Sequence, residues 1–329
     1  MAKIFVTRKI PGDHLEKLKS VGHEVVISEF DRPLSGEELV ARVKGVDALV
    51  SLLTDRIDGD LMDAAGPQLK MIVNYAVGFD NIDLKAATDR QIPVINTPSD
   101  EVNEAVAEHT WVLIMAIARR VIEADEFARQ GGYQGFEPDL FLGPSIIGKT
   151  LGIVGLGRIG SMVARRAKGY NLTVLYNKHE PDPEAEKELG VSFTTLNELL
   201  AKSDFVTLHV PLTEETRHMI NKDALGKMKE GSYLINTARG AVVDETALIE
   251  ALESGHLAGA ALDVYENEPK IPPELLAMQN VITTPHIASA TYEARNKMGE
   301  QAVNAILDVL DGKKPMNLVN TEVWEKRRK

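Results

Sequence analysis

The sequence predicts an α/β protein built from two doubly wound parallel sheets. Three observations lead to this fold class: the chain is 329 residues long, short apolar runs alternate with helical patterns, and one glycine-rich turn directly follows an apolar run. Single hydrophobic cores rarely serve chains longer than about 250–300 residues, so this length favours two domains. Strands that alternate with helices favour crossover connections, and therefore parallel sheets.

The first hundred residues predict five strands joined by helices. The strands are expected at 3–7, 24–28, 47–53, 69–75 and 93–96. Helices are expected after Pro11-Gly12 and near 37–44, 60–65 and 84–90. A longer helix at about 101–129 is apolar on several sides, which is typical of a helix buried between two bodies. The residues that follow, 130–148, are rich in Gly and Pro and predict a linker or surface arm.

A second alternating series begins at residue 150. Its strands are expected at 150–154, 172–176, 192–193, 205–209, 233–236, 259–264 and 281–284, with helices between them. A final helix is expected near 292–310, and we interpret the basic tail after it as a solvated terminus. The organisation is two α/β units in tandem, of which only the second contains a glycine fingerprint.

Composition excludes several classes of function. Lys and Arg number 37 and Asp and Glu number 49, so the formal net charge is −12. This balance disfavours binding to nucleic acid or to an anionic membrane. Cysteine is absent, which excludes disulfides, zinc–thiolate sites and cysteine nucleophiles, and no metal site is predicted. The most apolar run, 111–118, is too short to span a bilayer, and we expect a cytoplasmic enzyme.

A glycine-rich turn in the second unit predicts a dinucleotide site. The segment GLGRIG at 155–160 fits G-x-G-x-x-G, follows the strand at 150–154 and opens a helix. Gly155 permits a tight turn, Gly157 lets the backbone approach a pyrophosphate, and Gly160 allows the helix and strand to pack closely. The helix N-terminus then offers free N–H groups and a partial positive charge to the phosphates.

The end of the next strand predicts which dinucleotide is bound. An acidic residue there would hold the ribose hydroxyls of NAD, but the sequence has Asn177 followed by Lys178. Asn does not repel a 2′-phosphate, and Lys attracts one. We therefore expect NADP(H) to be preferred and NAD(H) to be tolerated, because Asn can still hydrogen-bond a hydroxyl. In the alternative interpretation, Lys178 and His179 only face solvent.

Three ionisable residues of the second unit each come soon after a predicted strand. They are Arg239, Glu268 and His286, and ligands of open parallel sheets bind beyond the carboxyl ends of strands. Hydride transfer to the carbonyl of a 2-oxo acid leaves an alkoxide that needs a proton, which His can donate. A carboxylate stabilises the imidazolium, and Arg presents a planar fork to the substrate carboxylate. Together they predict reduction of a 2-oxo acid.

The remaining histidines show no such arrangement. We interpret His14, His23, His218 and His256 as surface or turn residues. His109 is interpreted as packing, and His209 ends a strand, where either packing or a contact on the cofactor side is possible.

Several long stretches resemble the D-isomer-specific 2-hydroxyacid dehydrogenases. They are LGIVGLGRIG (151–160), DFVTLHVPLTEETRHMIN (204–221), GSYLINTARGAVVDETALIEAL (231–252), GAALDVYENEP (259–269), TPHIASAT (284–291) and the substrate loop VGFDNID (77–83). The resemblance covers nearly the whole chain. It implies a Rossmann cofactor domain at 100–288 and a flavodoxin-like substrate domain formed by 1–99 and 289–329. It also implies a homodimer joined through the helix region at 101–129.

The resemblance further implies roles for single residues. Arg239 matches the substrate-binding arginine, Glu268 the carboxylate partner and His286 the acid/base. The expected substrate contacts are Leu53, Val77, Gly78 and Arg239. The expected cofactor contacts, including those of the fingerprint, are Thr110, Gly155, Gly157, Arg158, Ile159, Gly160, Asn177, Lys178, Val210, Pro211, Thr216, Thr237, Ala238, Asp263, His286 and Ala288.

The substrate is expected to be a short, unphosphorylated 2-oxo acid, with glyoxylate and hydroxypyruvate the best candidates. Asn74 stands where phosphoglycerate dehydrogenases often have Arg, and Leu52 and Leu53 predict a small apolar pocket. One alternative is a dehydrogenase for 2-ketogluconate, D-lactate or another D-2-hydroxy acid. An alternative from another class is a dinucleotide-sensing, corepressor-like binding protein on the same fold.

Overall fold

The computed structural model describes residues 1–328, which form two compact units. The first unit joins residues 1–102 with the chain from 290 onwards, and the second comprises 103–289. The boundaries expected from the sequence, after 99 and after 288, lie within a few residues of these. The chain therefore leaves the first unit, builds the second, and returns to the first with its last segment.

Strands and helices alternate, as the hydrophobic pattern predicts. The strands are β1 (Lys3–Val6), β2 (Glu24–Ile27), β3 (Ala48–Ser51), β4 (Met71–Asn74), β5 (Val94–Ile95), β6 (Thr150–Val154), β7 (Thr173–Asn177), β8 (Ser192–Phe193), β9 (Phe205–Leu208), β10 (Ser232–Asn236), β11 (Leu257–Leu262) and β12 (Val281–Thr283). The helices are α1 (His14–Ser20), α2 (Gly36–Arg42), α3 (Gly59–Ala65), α4 (Leu84–Asp89), α5 (Asp100–Ala118), α6 (Val121–Arg129), α7 (Arg158–Ala167), α8 (Pro183–Leu189), α9 (Leu196–Lys202), α10 (Lys222–Lys227), α11 (Glu245–Glu253), α12 (Pro273–Ala277) and α13 (Tyr292–Leu310). No helix within residues 1–328 is long and apolar enough to cross a membrane.

The first unit is a five-stranded parallel sheet in the order β2-β1-β3-β4-β5. Strands β3 and β4 are buried along their whole length, which is typical of central strands covered by helices on both faces. The carboxyl ends of these two strands lead into the segments that contain Leu53 and Val77. The sheet therefore places both expected substrate-binding segments at one edge.

The C-terminal segment completes this unit. Asn320, which is buried, accepts a hydrogen bond from the Val94 amide at 2.8 Å and donates to the Ile92 carbonyl at 2.9 Å. Trp324 is also buried, in a 3₁₀ turn at Thr321–Lys326. The interpretation of the tail as solvated was therefore wrong, because its apolar side chains pack on the unit and the Arg328 guanidinium donates to the carbonyls of Arg90 at 2.8 Å and Gly66 at 2.9 Å.

The second unit is a seven-stranded parallel sheet in the order β12-β11-β10-β9-β6-β7-β8. The order of the strands reverses between β9 and β6, and ligands of doubly wound sheets bind at such a switch point. The glycine-rich turn follows β6 directly. Together with the first unit, this sheet confirms the predicted fold class, an α/β protein with two doubly wound parallel sheets.

The long helix expected at 101–129 is two helices. Helix α5 ends at Ala118, α6 begins at Val121, and Arg120 between them has a left-handed backbone with φ +51°. Gly143 approaches so closely that a side chain on it would clash with the Ala118 carbonyl. Because the apolar periodicity continues through the break, the sequence pattern did not reveal it. Helix α6 contains no buried residue, unlike α5.

Candidate active site

The glycine-rich turn has the geometry of a dinucleotide-binding turn. Gly155 has a positive φ of +97°, and a Cβ on it would lie 2.7 Å from the His209 carbonyl oxygen. A Cβ on Gly160 would clash with the Gly155 carbonyl oxygen. Gly157, the N-cap residue of α7, differs because a Cβ there would meet nothing within 4 Å. The N-terminus of α7 therefore opens into free space beside exposed Arg158, which fits a pyrophosphate.

A second segment lies beside this turn. Val210 is close enough that a Cβ on Gly155 would lie 2.9 Å from its side chain. The Thr216 hydroxyl donates to the Pro211 carbonyl at 2.6 Å and accepts from the Thr213 amide at 2.8 Å, which closes the loop after β9. Thr216 thus shapes this loop through its own hydrogen bonds.

His209, at the start of the same segment, is uncharged. Its Nε2 lies 3.0 Å from the Thr207 hydroxyl. Desolvation lowers the pKa of the imidazole to about 3. His209 therefore adds no positive charge beside the phosphates at physiological pH, and its backbone carbonyl packs against Gly155.

At the end of β7 the structure places an amide and a cation, as the sequence indicates. Asn177 donates its Nδ2 hydrogen to the Thr194 carbonyl at 3.0 Å. The ammonium of Lys178 lies 3.0 Å from Oδ2 of Asp182, an ion pair that sequence reasoning missed. Lys178 is therefore neither a purely solvated side chain nor a cation without a counter-ion.

His286 and Glu268 form a hydrogen-bonded pair. Nδ1 of His286 lies 2.8 Å from Oε2 of Glu268, and both side chains are about 30% exposed, at 27% and 30%. Burial raises the pKa of Glu268, but the hydrogen bond and charge of His286, then the Tyr265 amide and the Arg239 charge, lower it below its ordinary value overall. The carboxylate is therefore ionised at neutral pH, and it loses its charge only as the pH falls through that lowered pKa.

Asp263 holds the loop that carries His286. Its carboxylate is fully buried and accepts hydrogen bonds from the amides of Ile287 and Ala288, each at 2.8 Å, and from the Thr284 hydroxyl. Its own carbonyl accepts the His286 amide at 2.9 Å. His286 has a left-handed backbone with φ +54°, which a non-glycine residue adopts only when its surroundings impose it. Asp263, expected to line the cofactor, thus also positions the imidazole.

Helix α5 contributes two residues to the end of the sheet where His286 lies. The hydroxyl of buried Thr110 lies 2.9 Å from that of Thr237, which follows β10. Nε2 of His109 lies 3.2 Å from the Thr284 hydroxyl and 3.6 Å from the Asp263 carboxylate. The packing interpretation of His109 is therefore too simple, because its imidazole joins the polar network under the His286 loop.

Arg239 lies on a turn that is also fixed by side chains. Buried Asn236, the last residue of β10, accepts from the Ala238 amide at 3.0 Å and donates to the Arg239 carbonyl at 2.9 Å. The Arg239 guanidinium donates to the Ala238 carbonyl at 2.8 Å, and its charge helps to lower the pKa of Glu268. The structure therefore brings the three expected catalytic side chains to one end of the sheet.

A second His–Glu pair supports the segment before Glu268. Nε2 of His218 lies 2.7 Å from Oε1 of Glu266, and the Glu266 amide donates to buried Glu245 at 2.8 Å. Burial raises the pKa of Glu245. His218 lies in a turn, as expected, but it is also paired with an acidic side chain. Since its partner lies 48 positions away, no local sequence signal could have identified the pair.

In the first unit, amide side chains organise the expected substrate loop. Buried Asn74 donates to the Gly78 carbonyl and to the Asn81 side chain, each at 2.9 Å, and Asn96 donates to the Val77 carbonyl at 2.7 Å. Among the residues that the structure describes, no backbone carbonyl is recorded as accepting from the amides of Val77 and Gly78. Two such amides side by side fit a carboxylate, whereas the buried, neutral Asn74 offers no charge to a phosphate.

No cluster of metal-ligating side chains accompanies these groups. In the described chain no three His, Cys, Asp or Glu residues are placed to hold a metal ion. The chemistry that the arrangement can support is proton transfer by an imidazole next to a dinucleotide-binding turn.

Comparisons with known proteins identify the family. Residues 111–288 match the NAD binding domain of the D-isomer specific 2-hydroxyacid dehydrogenases. The chain is 48% identical over 330 residues to a glyoxylate reductase of Thermococcus kodakarensis, covering 99% of this chain and 98% of that protein. It is 47% identical over 330 residues to a glyoxylate reductase of Pyrococcus furiosus, with 99% and 97% covered.

Two solved structures resemble this chain in fold and in sequence. The TT0316 protein of Thermus thermophilus has a TM-score of 0.90 and 45% identity, with 96% of this chain and 99% of that one covered. An NADPH-dependent glyoxylate/hydroxypyruvate reductase of Sinorhizobium meliloti, in complex with NADP and malonate, has a TM-score of 0.85 and 32% identity, with 100% and 98% covered.

Fold, family and relatives together define an NAD(P)-dependent oxidoreductase. The chain belongs to the D-isomer specific 2-hydroxyacid dehydrogenase family, which confirms the resemblance seen in its sequence motifs.

Two glycine substitutions should separate folding from cofactor binding. Gly160→Ala should lower the free energy of unfolding by roughly 1–3 kcal/mol, because its Cβ overlaps the backbone. Gly157→Ala should leave stability nearly unchanged, since its Cβ meets no atom of the chain. It should still weaken dinucleotide binding roughly tenfold, the effect of losing one hydrogen bond to a charged group. Urea denaturation and fluorescence titration with NADPH measure the two effects. Unaltered NADPH affinity in Gly157→Ala would contradict the assignment of this turn.

Proposed function

We propose that this chain reduces glyoxylate and hydroxypyruvate to the corresponding 2-hydroxy acids, with NADPH preferred over NADH. The hydrogen-bonded pair of His286 and Glu268, at the strand ends of the sheet with the glycine-rich turn, is the observation that carries the proposal. The names of the relatives support the substrate, because those of T. kodakarensis and P. furiosus are glyoxylate reductases.

In this proposal His286 is the acid that protonates the developing alkoxide. When bound, the reduced nicotinamide supplies the hydride that the carbonyl carbon receives. The imidazole delivers the proton from the nitrogen that does not contact Glu268. The Glu268 carboxylate orients the ring and stabilises its protonated form. Arg239 binds the substrate carboxylate through its planar guanidinium and polarises the carbonyl.

The same proposal assigns substrate selection to the first unit. The amides of Val77 and Gly78 bind the substrate carboxylate, and Leu53 limits the length of the side chain that fits. Asn74 supports this assignment, because its side chain is buried and committed to the loop, so that a phosphorylated substrate finds no cation there.

The preference for NADPH is supported by the end of β7. Asn177 and Lys178 replace the acidic residue that would repel a 2′-phosphate. The remaining expected cofactor contacts follow the same turn and rim: Arg158 and Ile159 at the pyrophosphate, Val210, Pro211 and Thr216 beside it, and Thr110, Thr237, Ala238, Asp263 and Ala288 towards the nicotinamide.

Steady-state kinetics test the function directly. Purified protein is assayed with NADPH and NADH against glyoxylate, hydroxypyruvate, pyruvate, 2-ketogluconate and phosphohydroxypyruvate. We expect the highest kcat/KM for glyoxylate or hydroxypyruvate with NADPH. Faster turnover of a phosphorylated or longer acid would contradict the substrate assignment. Tight dinucleotide binding without turnover of any 2-oxo acid would instead favour a sensor.

His286→Gln tests the acid/base role. It should lower kcat roughly 10²–10⁴-fold, the usual contribution of a positioned acid, while the Kd for NADPH stays nearly the same. Glu268→Gln should cause a smaller loss, because a neutral amide replaces the carboxylate that holds the imidazole through Nδ1. An unchanged kcat in His286→Gln would eliminate this residue as the proton donor.

We also propose that two copies of the chain associate through the α5–α6 region. Exposed apolar side chains concentrate there and in the loop that follows: Val112, Val121 and Ile122 lie on the two helices, and Tyr133, Phe136, Leu142 and Ile147 come after α6. A helix with no buried residue that presents such side chains is typical of an interface.

Sedimentation of variants tests the homodimer. Val112→Asp should shift the protein towards monomer, because a carboxylate would be buried without a partner. Leu276→Asp is the matched control, since Leu276 is equally exposed, at 59%, but lies on α12. Equal behaviour of the two variants would argue against this interface.

A further inference from the structure

We propose that Asp182 determines cofactor specificity by competing with the 2′-phosphate of NADPH for Lys178. This inference rests on the proposed role of Lys178 and goes beyond it. It states that the cation is partly neutralised by the protein itself, so that the preference for NADPH over NADH is smaller than the Asn177-Lys178 pair alone would produce.

The position of Asp182 is set by three separate contacts. Its Oδ2 lies 3.0 Å from the Lys178 ammonium, and its Oδ1 accepts the Ala185 amide at 3.1 Å as the N-cap of α8. Its own amide donates to the Tyr176 hydroxyl at 2.7 Å, and Tyr176 is fully buried in β7. Asp182 is thus anchored to the strand through its backbone amide and to the helix through its carboxylate.

This anchoring distinguishes the pair from an ordinary surface ion pair. A typical exposed pair is weak because two mobile side chains must be ordered to form it. Here the side chains of Lys178 and Asp182 are only 34% and 35% exposed, and the carboxylate is already ordered by its capping hydrogen bond. That bond and the ammonium lower the pKa of Asp182, which keeps it ionised at physiological pH.

The pair affects the two cofactors differently. A 2′-phosphate can approach Lys178 only by sharing the ammonium with Asp182 or displacing that carboxylate, and the two anions repel each other. A ribose hydroxyl, as in NADH, needs no cation and only an acceptor or donor such as Asn177. The neighbouring acidic residues do not reduce this repulsion. Glu180 and Glu184 are themselves exposed anions, and Glu186 accepts the Phe193 amide. The carboxylate therefore penalises the phosphorylated cofactor selectively.

Asp182→Asn tests this competition with little structural disturbance. Asn caps a helix about as well as Asp, and the backbone bond to Tyr176 does not depend on the side chain. Isothermal titration is performed with NADPH, NADH and adenosine 2′,5′-bisphosphate. We expect the Kd for NADPH and for the bisphosphate to fall roughly three- to tenfold, as for removal of one nearby charge, with NADH changed less than about twofold. The gain should shrink at high salt.

Two further variants separate this inference from the function on which it rests. In Lys178→Met, NADPH binding should weaken selectively, and an unchanged NADPH affinity would overturn the proposed role of Lys178. In the double variant Lys178→Met/Asp182→Asn, the gain in NADPH affinity from Asp182→Asn should fall below about twofold, because the ammonium for which the two anions compete is absent. If Asp182→Asn has no effect while Lys178→Met weakens NADPH, or if its gain survives without Lys178 or extends equally to NADH, the competition is wrong.

Discussion

The candidate active site depends on one buried carboxylate, that of Asp263. A carboxylate without exposure to water is destabilising unless donors satisfy it, and here two amides and a hydroxyl do so. All three donors belong to the loop after β12, whereas Asp263 itself follows β11. The carboxylate therefore ties neighbouring strand ends together and imposes the left-handed backbone on His286. The 2.8 Å contact between His286 and Glu268 is a consequence of that tie.

Charge is distributed unevenly over this acidic protein. The net charge is −12, yet the expected ligands, a dinucleotide and a 2-oxo acid, are both anions. The cations that would receive them are few and local: Arg158 at the glycine turn, Lys178 beyond β7 and Arg239 beyond β10. His209 adds none, because desolvation keeps it neutral. Because these cations are few, one carboxylate beside any of them is expected to change the affinity for the anionic ligand that it receives.

Local signals predicted what local physics determines. The glycine turn could be predicted because Gly155 and Gly160 are required by contacts with backbone a few residues away or on the adjacent strand. The alternation of strands and helices could be predicted because the spacing of apolar residues follows the period of each element. Some of what the sequence did not predict depends on partners brought together by the fold, such as Glu266 for His218. Asp182 is only four residues from Lys178, but no helix spans the two residues, so helical spacing could not predict their contact. The end of α5 was missed because the break is made by the left-handed backbone of Arg120, a non-glycine residue that gives no local signal, while the apolar periodicity continues past it.

The return of the chain to the first unit has a consequence for synthesis on the ribosome. Strand β5 emerges early, but the Asn320 side chain that satisfies its edge is made more than 200 residues later. At about 5–20 residues per second, roughly 10–45 seconds separate the two events. The continuous second unit can fold during that interval, while the N-terminal hundred residues must wait with an apolar face uncovered. With this connectivity, the first unit can complete its core only after the residues from 290 onwards have been made.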